Sequence, residues 1–87
     1  MVLRPWRNYI LVGKVYEVIA SLTRGGDRPI LEEDVRAEFE MRHGYRLSDA
    51  DLAKALLTLE ALGRISTIST GGDTLMIKLR RGGRSAG

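Results

Sequence analysis

The sequence predicts a mainly α fold with a small β component: three helices, a short strand and a C-terminal β-hairpin. Three observations carry that reading. Up to Gly63, apolar residues recur at three- and four-residue spacing in three successive segments, the periodicity of amphipathic helices. From Arg64 the period falls to about two around the turn Gly71-Gly72-Asp73, which marks paired strands. Between the first two helical segments, Pro29-Ile30 is short, extended and bounded by turn residues, which suits a one- or two-bridge strand.

The first helix is predicted over 7–23, with Val12, Val15, Ile19 and Leu22 on its buried stripe and Lys14, Glu17 and Ser21 opposite. Thr23-Arg24-Gly25-Gly26-Asp27 ends it. With Tyr9, Ile10, Leu11, Tyr16 and Val18 included, its apolar surface spans about 200° of the circumference, wider than one face against two helices requires. The hairpin or a short terminal strand covers the excess, or a two-fold partner does. In the second case Trp6, Tyr9 and Leu11 are the expected dimer-interface residues, with Trp6 as anchor.

The second helix is predicted over 32–43. Leu31, Val35 and Phe39 lie four apart on its inner side, Glu32/Arg36 and Glu38/Arg42 form i,i+4 pairs on the wet side, and Gly44 stops it. Glu32-Glu33-Asp34 falls in its first turn, where carboxylates offset the positive helix end; that accounts for the cluster without a metal. The third helix starts at Ser48, whose hydroxyl caps free amides, with Asp51 three positions on and Leu47 placed to staple onto Leu52. Its predicted inward face is Leu52, Ala55, Leu56, Leu59 and Leu62, and Gly63 ends it. The hairpin strands are Ile65–Thr70 and Thr74–Leu79, with Leu75, Ile77 and Leu79 inward. The pattern leaves a loop of either two or three residues.

At 87 residues the chain has the length of one domain, assigned to 1–79 with a basic, glycine-rich, disordered tail over 80–87. A hydrophobic content of 44% against 29% charged residues is globular. The absence of cysteine excludes disulfides and thiolate metal or redox sites. No apolar run approaches the roughly 18 residues of a membrane span, and the opening Met1-Val2-Leu3-Arg4-Pro5-Trp6 lacks the apolar core of a signal peptide, so the expected location is the cytoplasm. With no Gln, one Asn (Asn8) and 11 Arg against 3 Lys, the composition is that of a thermophile protein.

The order helix, short strand, helix, turn, helix, hairpin over residues 7–79 resembles the winged helix-turn-helix family. The closest stretch is Ala55-Leu56-Leu57-Thr58-Leu59-Glu60-Ala61-Leu62-Gly63-Arg64-Ile65, where many members carry a leucine-rich recognition helix, a Leu-Glu pair, a glycine stop and the first wing strand. The resemblance implies that 48–63 is the recognition helix, that 65–79 is the wing, and that the partner is nucleic acid, DNA ahead of RNA. It implies a small transcriptional regulator, acting as a homodimer where the first helix pairs. The alternative it implies is a protein-interaction module of a nucleic-acid-processing or ribosomal assembly.

Charge qualifies that expectation. Residues 1–30 carry five basic and two acidic groups, 31–63 four basic and eight acidic, and 64–87 five basic and one acidic. The helix-turn-helix is thus acidic, and a phosphate backbone favours the two ends. On the third helix the outward residues Ala50, Asp51, Lys54, Thr58 and Ala61 include one cation and no Arg, Asn or Gln to read base edges. Backbone contact is therefore assigned to Arg64, Lys78, Arg80 and Arg81, helped by the hydroxyls of Thr67, Ser69, Thr70 and Thr74, with Arg46, Ser48, Lys54 and Thr58 contributing from the helix-turn-helix. His43, the only histidine, reads as a helix-end residue. No phosphate-loop spacing or nucleophile motif is present, so neither an enzyme, a cofactor nor a metal is expected.

Overall fold

A computed structural model describes residues 5–24, 26, 28–72 and 74–80, with side chains from Tyr9 onward. Helices α1 (Pro5–Thr23), α2 (Glu32–His43) and α3 (Asp49–Ala61) pack against one face of a three-stranded antiparallel sheet of β1 (Ile30–Leu31), β2 (Ile65–Ser69) and β3 (Leu75–Leu79), in the order β1-β3-β2. The core between them is formed by Val15, Val18 and Ile19 of α1, Val35 and Phe39 of α2, Leu52, Ala55, Leu56 and Leu59 of α3, and Ile30, Ile65, Ile77 and Leu79 of the sheet, all buried. The fold is mainly helical with a small sheet, as the periodicities predict.

Several boundaries and faces differ from expectation for identifiable reasons. α1 begins at Pro5, two residues early, because the fixed φ of proline suits a first helical turn and its missing N–H is not needed there. β1 is Ile30–Leu31 rather than Pro29–Ile30, since proline has no N–H to give the ladder. Leu31 consequently belongs to the strand; paired with Met76, it stays 39% exposed instead of joining Val35 and Phe39 inside. Its backbone N–H donates to Asp34 Oδ2 at 3.1 Å, which anchors the start of α2.

Arg36 departs most. The i,i+4 pattern places it on the wet side with Glu32, yet it is buried, its Nη1 donating to the Asp49 carboxylate and to the Leu47 carbonyl at 3.5 Å. The long stem lies along apolar surface while the head reaches the start of α3, so Arg36 ties α2 to α3. The second expected pair holds, Arg42 Nε donating to Glu38 Oε2 at 3.0 Å. His43, the last residue of α2, lays its ring 4.5 Å from that of Phe39.

At the start of α3 the Ser48 hydroxyl accepts the Asp51 N–H at 3.1 Å, and Leu47 and Leu52 are both buried, as capping and stapling predict. Its end is a Schellman turn: the Gly63 N–H reaches Glu60 O at 3.0 Å and the Arg64 N–H reaches Leu59 O at 2.9 Å. Gly63 has φ +77°, a left-handed conformation in which an L side chain is strained. Because the chain turns there, Leu62 falls off the inward stripe and is 60% exposed, against the expectation that it is core. The hairpin register pairs Ser69 with Leu75, and the Thr70 N–H reaches Thr74 O at 3.4 Å. The connecting loop is therefore the three residues 71–73.

Candidate nucleic-acid interface

Strand pleating sends successive side chains to opposite faces. On β3, Ile77 and Leu79 are buried under the helices, so Met76 and Lys78 point away from them. Ser66 is directly opposite Lys78, and Ile68 and Leu31 flank Met76 on either side. One residue beyond the ladder, the Arg80 N–H donates to Arg64 O at 2.8 Å, continuing the pairing so that these two exposed arginines oppose each other. From base to tip, the outer face reads Arg64 and Arg80, then Ser66 and Lys78, then the apolar row Leu31, Met76, Ile68.

Three of the four cations expected at the hairpin thus converge on one face. Among the described residues the salt bridges involve Arg36, Arg42 and Arg46, and none involves Arg64, Lys78 or Arg80. Like charges directly opposite on a strand pair destabilise it, and a bound polyanion reverses the sign of that term. Arg81 lies outside the described residues, as does the rest of the expected tail beyond Arg80.

Most of the other expected contact groups are committed within the chain. The Ser48 hydroxyl caps α3. Thr58 Oγ1 donates to Lys54 O at 2.9 Å, Thr70 Oγ1 donates to Thr74 O at 3.1 Å, and Thr67 Oγ1 donates to Glu60 Oε2 at 3.2 Å from the inner face. Arg46 Nη1 is 3.9 Å from Glu40 Oε1. Lys54 remains exposed on α3, and Ser69 and Thr74 are exposed near the hairpin tip.

The outermost line of α3 is apolar. At 100° per residue, Ala50, Leu57 and Ala61 fall within about 40° of arc, directly opposite the buried Leu52, Ala55, Leu56 and Leu59. All three are exposed, Leu57 at 66%. Leu57 was visible on the helical projection, but a leucine-rich run reads as core by composition and hides the one leucine that points outward. On α1, Tyr9 is 66% exposed whereas Leu11 packs against the core, so these two expected interface residues face different ways. The Trp6 side chain lies outside the described residues.

An open groove of about 410 Å³ between the end of α1, β1 and α2 has an apolar floor of Leu22, Ile30 and Ala37 beside Asp34 and Glu38. Both acids are already engaged, by the Leu31 N–H and by Arg42, which leaves the groove without a free polar group aimed at a ligand from those two residues. Among the described residues no helix is long and apolar enough to cross a membrane, and no three metal-ligating side chains gather. Comparison with protein-family models, with curated proteins and with solved structures finds no match.

Proposed function

We propose that this chain is a winged-helix protein that grips the sugar-phosphate backbone of duplex DNA through the outer face of its hairpin. The observation that carries the reading is the convergence of Arg64, Lys78 and Arg80 on one solvent-facing surface without an acidic partner among the described residues. The order α1-β1-α2-α3-β2-β3 with a β1-β3-β2 sheet supports it, being the element order of winged-helix domains. Arginine and lysine facing phosphate oxygens supply affinity and register but carry no sequence information. With α3 presenting Ala50, Leu57 and Ala61 outermost, base reading in the major groove has no bidentate donor. Binding is therefore backbone-directed and tolerant of sequence, and the regulatory role implied by the family resemblance would need its specificity from elsewhere.

The test is a salt titration of affinity for mixed-sequence duplexes. Reversing Arg64, Lys78 and Arg80 to Glu weakens binding to every sequence alike and flattens the slope of log affinity against log salt by about 0.9 for each phosphate no longer neutralised. Lys54→Ala has a much smaller effect. Should Lys54→Ala dominate, or alter preference at one base position, ordinary major-groove reading is correct and the hairpin model is wrong.

A second reading is favoured by one observation, the exposed apolar line of α3. A surface whose outermost line is leucine and alanine, bordered by Ala53 and by the single cation Lys54, is chemically closer to a protein-docking face than to a groove-reading one. An absence of salt-sensitive affinity for DNA and RNA would transfer the assignment to a protein-interaction module.

A further inference from the structure

The outer face of the hairpin is ordered in steps of two residues. Arg64 opposes Arg80, Ser66 opposes Lys78, and Ile68 opposes Met76, which has Leu31 on its other side. Beyond that row the exposed Thr70 and Thr74 are polar again. Each step is about 7 Å along the strands, and the row Leu31-Met76-Ile68 is roughly 10 Å across. Leu31 is 39% and Ile68 46% exposed, with Met76 half-buried between them. This is an apolar strip wide enough for one nucleobase, bounded by cations and a hydroxyl on one side and by hydroxyls on the other.

What lies over the strip follows from what lies beside it. With phosphates on the hairpin cations, one sits between Arg64 and Arg80 and the next at Lys78 and Ser66, a step of about 7 Å that successive phosphates of one strand can span. A third phosphate at the following step would stand over Leu31, Met76 and Ile68. There it would lose water against apolar side chains without gaining a cation, and an unpaired charge is costly to desolvate. The acidic first turn of α2, Glu32, Glu33 and Asp34, follows Leu31 directly and repels it further. The backbone must leave the face at this point, and the group that covers the strip is uncharged and apolar. In a nucleic acid that group is a base. Bases within a duplex are stacked and paired, so the base in question is an unpaired one.

We propose that the outer face of the hairpin binds a duplex where it gives way to a single strand, with the last phosphates on Arg64, Arg80 and Lys78 and the first unpaired base on Leu31, Met76 and Ile68. This rests on the backbone-gripping reading and narrows its substrate from any duplex to one with an unpaired end. Aliphatic side chains cover the face of a base without reading its edges, so the preference is for unpaired structure and not for sequence.

Three DNA probes sharing one duplex sequence test this by fluorescence anisotropy with the whole chain. One is blunt, one carries a short unpaired overhang, and one carries the same overhang made abasic, which keeps the phosphates and removes the bases. The overhang probe binds about fivefold tighter than the blunt one, the low end of what a stacked base contributes because the platform is aliphatic. The abasic probe falls back close to the blunt affinity. Ile68→Ser on β2 and Met76→Ser on β3 each bring the overhang-to-blunt ratio towards one, while circular dichroism and thermal melting show the fold kept. Equal affinity for the blunt and overhang probes overturns the proposal and leaves the backbone-gripping reading standing. An abasic overhang as good as the intact one also overturns it, since phosphates alone then account for the gain. So does a ratio indifferent to both substitutions, which would put the base elsewhere. Loss of salt-sensitive affinity for all three probes removes the backbone-gripping reading itself, and this proposal with it.

Discussion

The tie between α2 and α3 makes an asymmetric prediction about stability. Arg36 and Asp49 form one ion pair, but the Arg36 side chain is 11% exposed and that of Asp49 is 92% exposed. The Arg36 Nε is buried with no hydrogen-bond partner among the described residues. Removing the acid and removing the base are therefore different experiments. Asp49→Ala leaves a buried guanidinium with one fewer acceptor, a loss that a hydrogen bond to a charged group sets at about 1.5–3 kcal/mol. Water reaching the exposed end of the pair reduces this to roughly 1–2 kcal/mol. Arg36→Met keeps the apolar stem, removes the unsatisfied Nε and leaves an Asp49 that water already solvates. The gain from removing a buried unsatisfied donor and the loss of the bonds to Asp49 and Leu47 are each about 1–3 kcal/mol, so the net change stays within about 1 kcal/mol.

In a domain of this size 1 kcal/mol moves Tm by about 4–8 °C. Asp49→Ala is expected to lower Tm by on the order of 10 °C and Arg36→Met to shift it by less than about 8 °C. The double variant should be no less stable than Asp49→Ala alone, because once the acid is gone the buried guanidinium keeps only its long, 3.5 Å bond to the Leu47 carbonyl. Thermal and urea unfolding of the four proteins complete the cycle. If Arg36→Met is as damaging as Asp49→Ala, or if adding it to Asp49→Ala costs further stability, the argument from unequal burial is refuted.

Two other substitutions test the packing around the turn that ends α3, and a third tests the core. Gly63→Ala forces an L residue into φ +77° within the Schellman turn and should cost about 1–2 kcal/mol, measured as a lowered urea midpoint at unchanged slope. Leu62→Ser should cost less than about 0.5 kcal/mol, since Leu62 is 60% exposed. Phe39→Ala, at a fully buried position, should cost about 3–5 kcal/mol and leave a chain whose near-ultraviolet dichroism is weak at room temperature.

Elements repeated along the sequence were legible; features depending on where the chain turns were not. Val15, Ile19, Val35, Phe39, Leu52 and Leu59 stand at helical spacing and are all buried, because periodicity is a local property that tertiary structure only confirms. Leu31 and Leu62 fit the same spacing and are exposed, because each sits one residue past an element boundary, where a strand or a Schellman turn redirects the side chain. Arg36 could not be assigned from spacing, since its partner Asp49 lies 13 residues away across the turn. The hairpin cations were identifiable as charges following Gly63. Their assembly on one face needed the loop length, which sequence left between two and three residues, and a one-residue slip would have sent Lys78 to the inner side. The over-wide apolar surface of α1 was present in the letters; only the packing shows that Leu11, Tyr16 and Leu22 lie against the core while Tyr9 and Ile10 are exposed.

The register also ranks the three cations. Leu31 is level with Met76, so the acidic first turn of α2, which follows Leu31, begins level with that end of β3. Lys78 is two residues from Met76 and Arg80 is four, about 7 Å and 14 Å along a strand. Arg64 is opposite Arg80. At physiological ionic strength the Debye length is about 8 Å, so the field of Glu32, Glu33 and Asp34 reaches Lys78 and is largely screened at the two arginines. A phosphate held at Lys78 feels that repulsion, whereas one held between Arg64 and Arg80 is beyond it. Single substitutions to Ala should therefore weaken duplex binding more at Arg64 and Arg80 than at Lys78 when measured near 0.15 M salt. Lowering the salt tenfold extends the Debye length to about 25 Å and brings all three under the same acids, so the difference should narrow. Equal losses at every ionic strength, or Lys78 foremost, would show that the phosphates do not lie along this face in the order the strands impose.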